Sequence, residues 1–247
     1  WSVRVDGKRL VNSTSTPVAV LSISSVVKAN PEAGFSICKW TGNSGIRQTL
    51  AHGLNAAPEM IIAKHLDSNV RWAVYHKGVG PGNTLVLNDT TTPTGGTGIW
   101  GNVDPTNSVF YISNDGEVNA NNQDYIGYCF APVAGYSAFG SYIGNGSNDG
   151  VFVHTGFSVQ WLLTKASSHG SDWQLWDSAR QSYNVNANTL TPNSTSAETG
   201  SAGYAVDLLS NGFKFRMYGS SSNQSNYTYI WAAFASNPFQ ANGGLAR

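Results

Sequence analysis

The chain has 247 residues, enough for one large or two medium domains with a buried core. Only 11% of its residues are charged, and 14 basic residues balance 14 acidic ones, so the surface has no electrostatic attraction for a phosphate backbone or an anionic membrane. This excludes nucleic acid as a partner, and membrane insertion is excluded because no apolar run nears the ~18 residues of a spanning helix.

The predicted elements are short β-strands separated by turns rich in Gly, Asn and Asp. In chain order, the main predicted strands cover residues 18–23, 35–40, 60–64, 72–75, 84–87, 109–112, 125–130, 213–217 and 227–234. No segment sustains a helical period, so the fold class is all-β. Because a single sheet leaves its apolar face in water, we expect β-sandwich or jelly-roll-like units.

The chain carries an internal repeat, because six matching blocks recur in order at offsets of 101 to 105 residues. The matched positions are Trp40 with Tyr142, His52 with Thr155, Met60 with Trp161, Trp72 with Trp173, Asn83 with Asn188, and Tyr125 with Tyr229. We therefore predict one β-sandwich repeat over residues 33–135 and a second, with a C-terminal tail, over 136–247.

Residues 1–32 fit neither repeat and are predicted to be an extended N-terminal arm, a strand that augments a neighbouring sheet, or the remnant of a preceding repeat. The chain begins with Trp1 rather than Met, so we expect it to be a fragment or a processed product.

No residue pattern predicts a catalytic centre, a metal site or a cofactor. His65 and His76 lie on different predicted strands without a metal-ligand pattern. Asp172 and Asp177 flank two tryptophans, as carboxylates in a sugar cleft would, but solvation of turns and strand edges explains them as well. The two cysteines, Cys38 and Cys129, are predicted to be buried thiols, with a single disulfide left open.

Aromatic side chains are the candidate ligand contacts. Aromatic faces stack on sugar rings, while neighbouring amides and hydroxyls bind the sugar's hydroxyl groups, although most aromatics in a sandwich pack in the core. Trp72 and Trp173 recur at equivalent positions, which favours a core role. Trp100, Tyr183 and Tyr218 lie in or beside Gly/Ser/Asn loops without repeat partners, and we predict that they are exposed ligand-binding residues.

Several blocks resemble a domain of unassigned activity at the C-termini of tail-fibre and other virion proteins of tailed bacteriophages, often marine or cyanobacterial ones. The blocks are GFSICKWTGN, HGLNAAPEMIIAKHLD, WAVYHKGVGPGNTLVLN, YIGYCFAPVAGYSAFGSYIGNGSNDGVFVHTGFSVQWLLTK and YIWAAFASNPF. The resemblance covers residues 31 to 247, and the order of the blocks makes it specific. Cys38 departs from the hydrophobic or hydroxyl residue expected at its position.

The resemblance implies a non-enzymatic virion protein, forming a homotrimer with sister subunits and contacting other virion proteins. Host-surface glycan recognition at the particle surface is then the expected function. A capsid decoration or tail-assembly protein without a receptor role is the first alternative, and a glycan-degrading enzyme using Asp172 and Asp177 is the second.

Overall fold

The computed structural model describes residues 22–96 and 98–236, with two short strands before them, β1 Arg4–Val5 and β2 Lys8–Arg9. The next strands are β3 Ser25–Asn30, β4 Phe35–Thr41, β5 Gln48–Ala51, β6 Met60–His65, β7 Ala73–His76, β8 Asn83–Val86, β9 Thr94–Gly95, β10 Val109–Ile112 and β11 Asp124–Phe130. Helix α1, Gly116–Asn119, precedes β11. The prediction of an all-β fold is confirmed.

The rest of the described chain repeats this pattern of short strands. Its strands are β12 Ser137–Ile143, β13 Phe152–His154, β14 Val159–Ala166, β15 Trp173–Asp177, β16 Asn188–Thr189, β17 Thr199–Gly200, β18 Val206–Leu209, β19 Gly212–Phe215 and β20 Thr228–Ala235. A single 3₁₀ turn, Ala202–Tyr204, precedes β18.

Each half of the described chain contains one large antiparallel sheet and a smaller sheet beside it, and two further pairs of short strands, β1-β2 and β16-β17, complete the set. The large sheets have the orders β3-β4-β11-β6-β7-β8-β9 and β12-β20-β14-β15, and the small sheets have the orders β10-β5 and β13-β19-β18. Tyr125 lies opposite Trp40 in the first large sheet, and Tyr229 lies opposite Tyr142 in the second. Strands that the sequence repeat matches therefore hold equivalent places in their sheets, while the repeat boundaries themselves stay a prediction.

Among the described residues, apolar side chains form three clusters, and the central strands of the large sheets contribute to two of them. On β6, Ile61 and Ala63 belong to the core of the first half, whereas Met60 and Ile62 belong to a cluster shared by the two large sheets. Successive strand residues face opposite sides of a sheet, so β6 is buried on both faces. The two large sheets thus pack against each other, each through the face turned away from its own core.

The predicted N-terminal arm contains strand β3. Residues 25–30 pair with β4, and the intervening turn closes with a 3.2 Å hydrogen bond from Gly34 N to Pro31 O. β3 supplies hydrogen-bond partners for the outer backbone groups of β4. The predicted boundary at residue 32 therefore falls within the hairpin that joins β3 to β4. Of the predicted strand 18–23, residues 18–21 lie outside the described residues and 22–23 form a bend; Trp1 also lies outside them.

Candidate functional site

Trp100 is a core residue. Its side chain is 2% exposed and packs edge-on against Tyr75, with 6.0 Å between the ring centroids. The loop turns inward at Gly101, whose φ of +66° glycine adopts without strain. The prediction that Trp100 is an exposed contact is wrong, because burying a large apolar ring stabilises the fold more than a loop position in solvent.

Tyr183 stands alone on the surface. It is 84% exposed, and no hydrogen bond or ring contact of its side chain occurs within the described residues. The next residue anchors the loop: Asn184 Nδ2 donates to Leu208 O at 2.9 Å, and Leu208 N donates to Asn184 Oδ1 at 3.0 Å. Neither of the two cavities described below includes Tyr183.

Tyr218 lies beside a concave surface. Its side chain is 68% exposed and lines a depression of about 400 Å³, which we call the Tyr218 depression. The other lining residues are Gly146, Gly219, Ser220, Gln224 and Ser225. The tyrosine ring, two serine hydroxyls and one amide combine a stacking face with hydrogen-bonding groups.

A buried asparagine holds the two loops that form this depression. Asn223 is fully buried, and its Nδ2 donates to Asn145 Oδ1 at 3.0 Å, to Ser147 O at 2.9 Å and to Met217 O at 2.9 Å. Its Oδ1 accepts from Asn145 N at 3.1 Å. Since one side chain satisfies groups on both loops, the depression is fixed before any ligand arrives.

Two stacked tyrosines support the floor of the same loops. Tyr142 and Tyr229 have ring centroids 5.1 Å apart, and Tyr142 Oη donates to Ser222 O at 2.6 Å. Tyr229 Oη donates to Ser220 O at 2.8 Å and accepts from Gln224 N at 3.0 Å. Burial raises the pKa of Tyr229 to about 12, so both hydroxyls stay protonated and keep donating at neutral pH.

The first half builds the same scaffold without the same surface. Asn119 is fully buried and its Oδ1 accepts from Asn43 N at 2.8 Å, as Asn223 accepts from Asn145. Tyr125 Oη donates to Gly116 O at 2.9 Å, as Tyr229 donates to Ser220. At the offset of this block, however, Tyr218 corresponds to Asn114, so the aromatic contact belongs to the second half alone.

Sequence reasoning missed Asn119 and Asn223. Asparagine is common in this chain, and a single Asn before a strand is no signal. The usable signal was the shared offset of 104 residues, which both asparagines have in common with Tyr125 and Tyr229.

The surroundings of the Tyr218 depression are electrically neutral. None of its lining residues carries a charge, and the nearby basic residues on β19 and beyond are paired, Lys214 with Asp149 at 2.6 Å and Arg216 with Asp207 at 2.5 Å. The ion pair with Lys214 lowers the pKa of Asp149. A neutral, hydroxyl-rich ligand matches this surface better than an ionic one.

The histidines that raised the question of a metal have structural roles. His65 Nδ1 accepts from Asp67 N at 3.1 Å, and His65 packs against Tyr125 with ring centroids 4.6 Å apart. His76 is fully buried and bonds elsewhere. Across the described ranges, no three His, Cys, Asp or Glu side chains gather into a possible metal site.

The cysteines are free thiols, and both are buried. Cys38 Sγ donates to Ala51 O at 3.5 Å, and burial raises the pKa of Cys129. Burial therefore keeps the Cys129 thiol protonated, and a protonated, solvent-shielded thiol is a poor nucleophile.

Asp172 and Asp177, the two carboxylates that the enzymatic alternative requires, form hydrogen bonds or ion pairs with neighbouring side chains. Asp172 Oδ1 accepts from Asn193 Nδ2 at 2.7 Å, and Asp177 binds Arg180 at 2.5 Å. Asp177 is the last residue of β15 and Asp172 directly precedes its first, so their Cα atoms lie about 16 Å apart at the rise of a strand. A glycosidase needs its two carboxyl groups within about 5–10 Å, so this pair does not form such a centre.

A second cavity, of about 500 Å³, lies between the two large sheets. Its lining is apolar and comes from both halves: Met60, Ile62, Leu87, Phe130, Trp161, Leu163, Leu175, Pro192, Ala232 and Phe234. It offers no polar group to orient a ligand, in contrast to the Tyr218 depression.

Comparison with known proteins identifies one family. A family model described as DUF7483, a domain of unknown function, matches residues 10–238. No curated protein and no solved structure matches the chain. In the described part, no helix is long and apolar enough to cross a membrane.

Proposed function

The chain belongs to the DUF7483 family, a domain of unknown function, and we propose that it is a recognition module of a virion appendage that binds a host-surface glycan in the Tyr218 depression. The observation that carries this proposal is the exposed ring of Tyr218 beside neutral hydroxyl and amide groups on a rigid scaffold. The likeness of the sequence blocks to phage tail-fibre domains supports the place of the module on the particle surface.

The chemistry of the depression favours a sugar over other neutral ligands. A pyranose ring presents axial C–H groups to an aromatic face and hydroxyls around its rim. Tyr218 supplies the face, and Ser220, Gln224 and Ser225 supply groups that both donate and accept hydrogen bonds. Gly146 and Gly219 complete the lining without adding a charge.

A shallow site of this size binds a single sugar weakly, and the particle compensates by carrying many copies. When several sites engage one surface, the later binding events become intramolecular and the total avidity rises by orders of magnitude. The proposed function therefore needs no deep pocket, no cofactor and no reactive group.

A glycan array probed with the labelled full chain tests the proposal. We expect the wild type to bind a restricted set of glycans, Y218A to lose the signal, and Y218F to retain most of it because stacking survives. Y183A is the matched control, since Tyr183 is at least as exposed but lies outside the depression. Thermal unfolding of each variant checks that the fold is intact, and retained binding by Y218A would overturn the proposal.

A purely structural role in the particle is the second candidate. Exposed apolar side chains outside the depression, such as Ile46 at 80% and Ile143 at 62%, favour it because such residues often lie at contacts between chains. It predicts no glycan signal for the wild type and a loss of particle assembly, not of host adsorption, in variants at these positions.

A further inference from the structure

Strand β12 forms one edge of the second large sheet and is bonded on one side only. Gly144 N donates to Tyr227 O at 2.8 Å, and Ala235 N donates to Tyr136 O at 2.8 Å, so the even-numbered residues of β12 exchange hydrogen bonds with β20. Because hydrogen-bonding direction alternates along an antiparallel strand, Phe139, Ser141 and Ile143 point their N–H and C=O groups away from the sheet.

Those outward groups have no partner among the residues that the structure describes. At the start of the strand, Ser137 and Val133 exchange backbone hydrogen bonds of 2.9 and 3.1 Å. Beyond Ser137, the N–H and C=O groups of Phe139, Ser141 and Ile143 have no hydrogen-bond partner among the described residues; we call these three donors and three acceptors the open groups.

Strand β4 is the equivalent of β12 in the first half, and its outer edge is paired with another strand. There β3 lies against β4, with Lys28 opposite Ile37 and Val26 opposite Lys39. The offset of 102 residues makes Ile37 and Lys39 the counterparts of Phe139 and Ser141. An antiparallel strand therefore covers this edge in one half and leaves it open in the other.

Nothing in β12 protects the open edge against pairing. Natural edge strands carry lysine, proline or bulges that discourage a further strand, and β3 follows this rule with Lys28 and, just after it, Pro31. The seven residues of β12, SAFGSYI, include no charge and no proline, and the register of β12 with β20 is unbroken. The formal net charge of the chain is zero, so two copies do not repel each other through net charge.

We infer that β12 pairs antiparallel with β12 of a second copy of this chain, about a two-fold axis beside Ser141. The open groups are symmetric about this residue, with Phe139 two positions before it and Ile143 two positions after it. The axis places Ser141 opposite the partner's Ser141 and Phe139 opposite the partner's Ile143. All open donors then meet open acceptors, and two four-stranded sheets become one sheet of eight strands.

The exposed side chain of Ile143 fits the same arrangement. It is 62% exposed in the single chain, and in the pair it lies beside the partner's Phe139 as a cross-strand neighbour, which stabilises a sheet. A register centred on Phe139 would instead place Ser137, already bonded to Val133, in the ladder. The contact is two-fold and therefore differs from the homotrimer that the resemblance implies.

The oligomeric mass of the full chain over a wide concentration range, by sedimentation or light scattering, tests the pairing. We expect a dimer for the wild type and half that mass for S141P, which removes an outward N–H and leaves the bonds to β20 in place. A29P is the matched control, because Ala29 is an outward-facing residue of the protected edge of β3, and it should stay dimeric.

Charge exchange at residue 141 separates the pairing from a general loss of stability. Each of S141K and S141D places like charges opposite each other across the axis and should be monomeric, whereas an equimolar mixture of the two should recover dimers. A monomeric wild type, a trimer that S141K leaves intact, or a mixture that stays monomeric would overturn the inference. A strand from another protein as the natural occupant would appear as a monomeric wild type. The glycan array reads a different site, so either proposal can fail alone.

Discussion

His76 on β7 and Trp231 on β20 join the two halves of the molecule, with His76 Nε2 lying 3.1 Å from the carbonyl oxygen of Trp231. His76 Nδ1 accepts from Gly78 N at 3.0 Å, so Nε2 carries the proton and the ring is neutral. Burial lowers the pKa of His76 to about 4. A neutral imidazole thus lies between the two large sheets. Protonating it would place a positive charge in a buried site, which is unfavourable.

This arrangement predicts acid sensitivity from one residue. The folded-state pKa lies below the unfolded value of 6.5, so the unfolded chain binds the proton first as the pH falls. The stability from the neutral ring is complete above pH 6.5 and is lost as the pH falls through 4, by about 3 kcal/mol in all. Urea unfolding at a series of pH values should show this loss in the wild type and a smaller one in H76Q, and equal pH slopes would contradict it.

Lys165 should make the free energy of unfolding rise with pH as well, but in the alkaline range. Its side chain is fully buried, Nζ donates to Thr90 O at 3.3 Å and Ala166 O at 3.1 Å, and burial lowers its pKa to about 8. Between pH 8 and the unfolded value of 10.5, the unfolded chain holds more protons, so stability rises with pH.

The measurement for Lys165 is the difference in unfolding free energy between the wild type and K165M across this window. Tyrosines and Cys129 titrate in both proteins and cancel in the difference. We expect the wild type to gain up to about 3 kcal/mol relative to K165M as the pH rises. A constant difference would mean that Lys165 is not held with a lowered pKa.

Variants at Asn223 and Asn119 distinguish an effect on the free energy of unfolding from an effect on glycan binding. Each supports loops through several buried hydrogen bonds, and loss of a buried bond costs about 1 kcal/mol. We expect N223A and N119A each to lower the unfolding free energy by about 2–4 kcal/mol. Glycan binding should fall in N223A and stay near wild type in N119A, because Tyr218 lies on the scaffold of Asn223 alone; equal losses would contradict this assignment.

The glycines of the matched Gly-Asn blocks should not tolerate a side chain. A Cβ on Gly42 would lie 2.2 Å from Ala120 O, and a Cβ on Gly144 would lie 2.2 Å from Gln224 O. Since backbone must shift to relieve either contact, G42A and G144A should each lower the unfolding free energy by about 1–3 kcal/mol. G116A is the control, because a Cβ there meets nothing within 4 Å, and a loss as large in G116A would argue against the steric cause.

The strands were predictable because alternation and the internal repeat both identify them. Predicted strands 35–40, 60–64 and 125–130 match β4, β6 and β11 to within a residue at each end. A strand that augments a neighbouring sheet was one of the alternatives for residues 1–32, but the position of β3 was not predicted, because a run that contains Lys and Asn lacks a clear strand pattern. How two large sheets meet depends on surface shapes that a pattern does not encode.

The candidate site was only partly predictable. Composition marks Trp100, Tyr183 and Tyr218 alike as loop aromatics, but the path of each loop decides burial, and Trp100 turns inward while the two tyrosines stay exposed. The depression beside Tyr218 needs a second loop, 144–148, brought close by Asn223 from far along the chain. The two loops are far apart in the sequence and come together only in the folded chain. No local sequence motif therefore predicts the depression.

The burial of β6 and β14 on both faces has an evolutionary consequence. On β14, Leu162 belongs to the core of the second half, and Leu163 lies in the cluster shared with the first. Either half on its own would expose the apolar face of its large sheet to water. Substitutions on the shared faces of either half therefore affect both halves, whereas the loops outside these clusters are free to change.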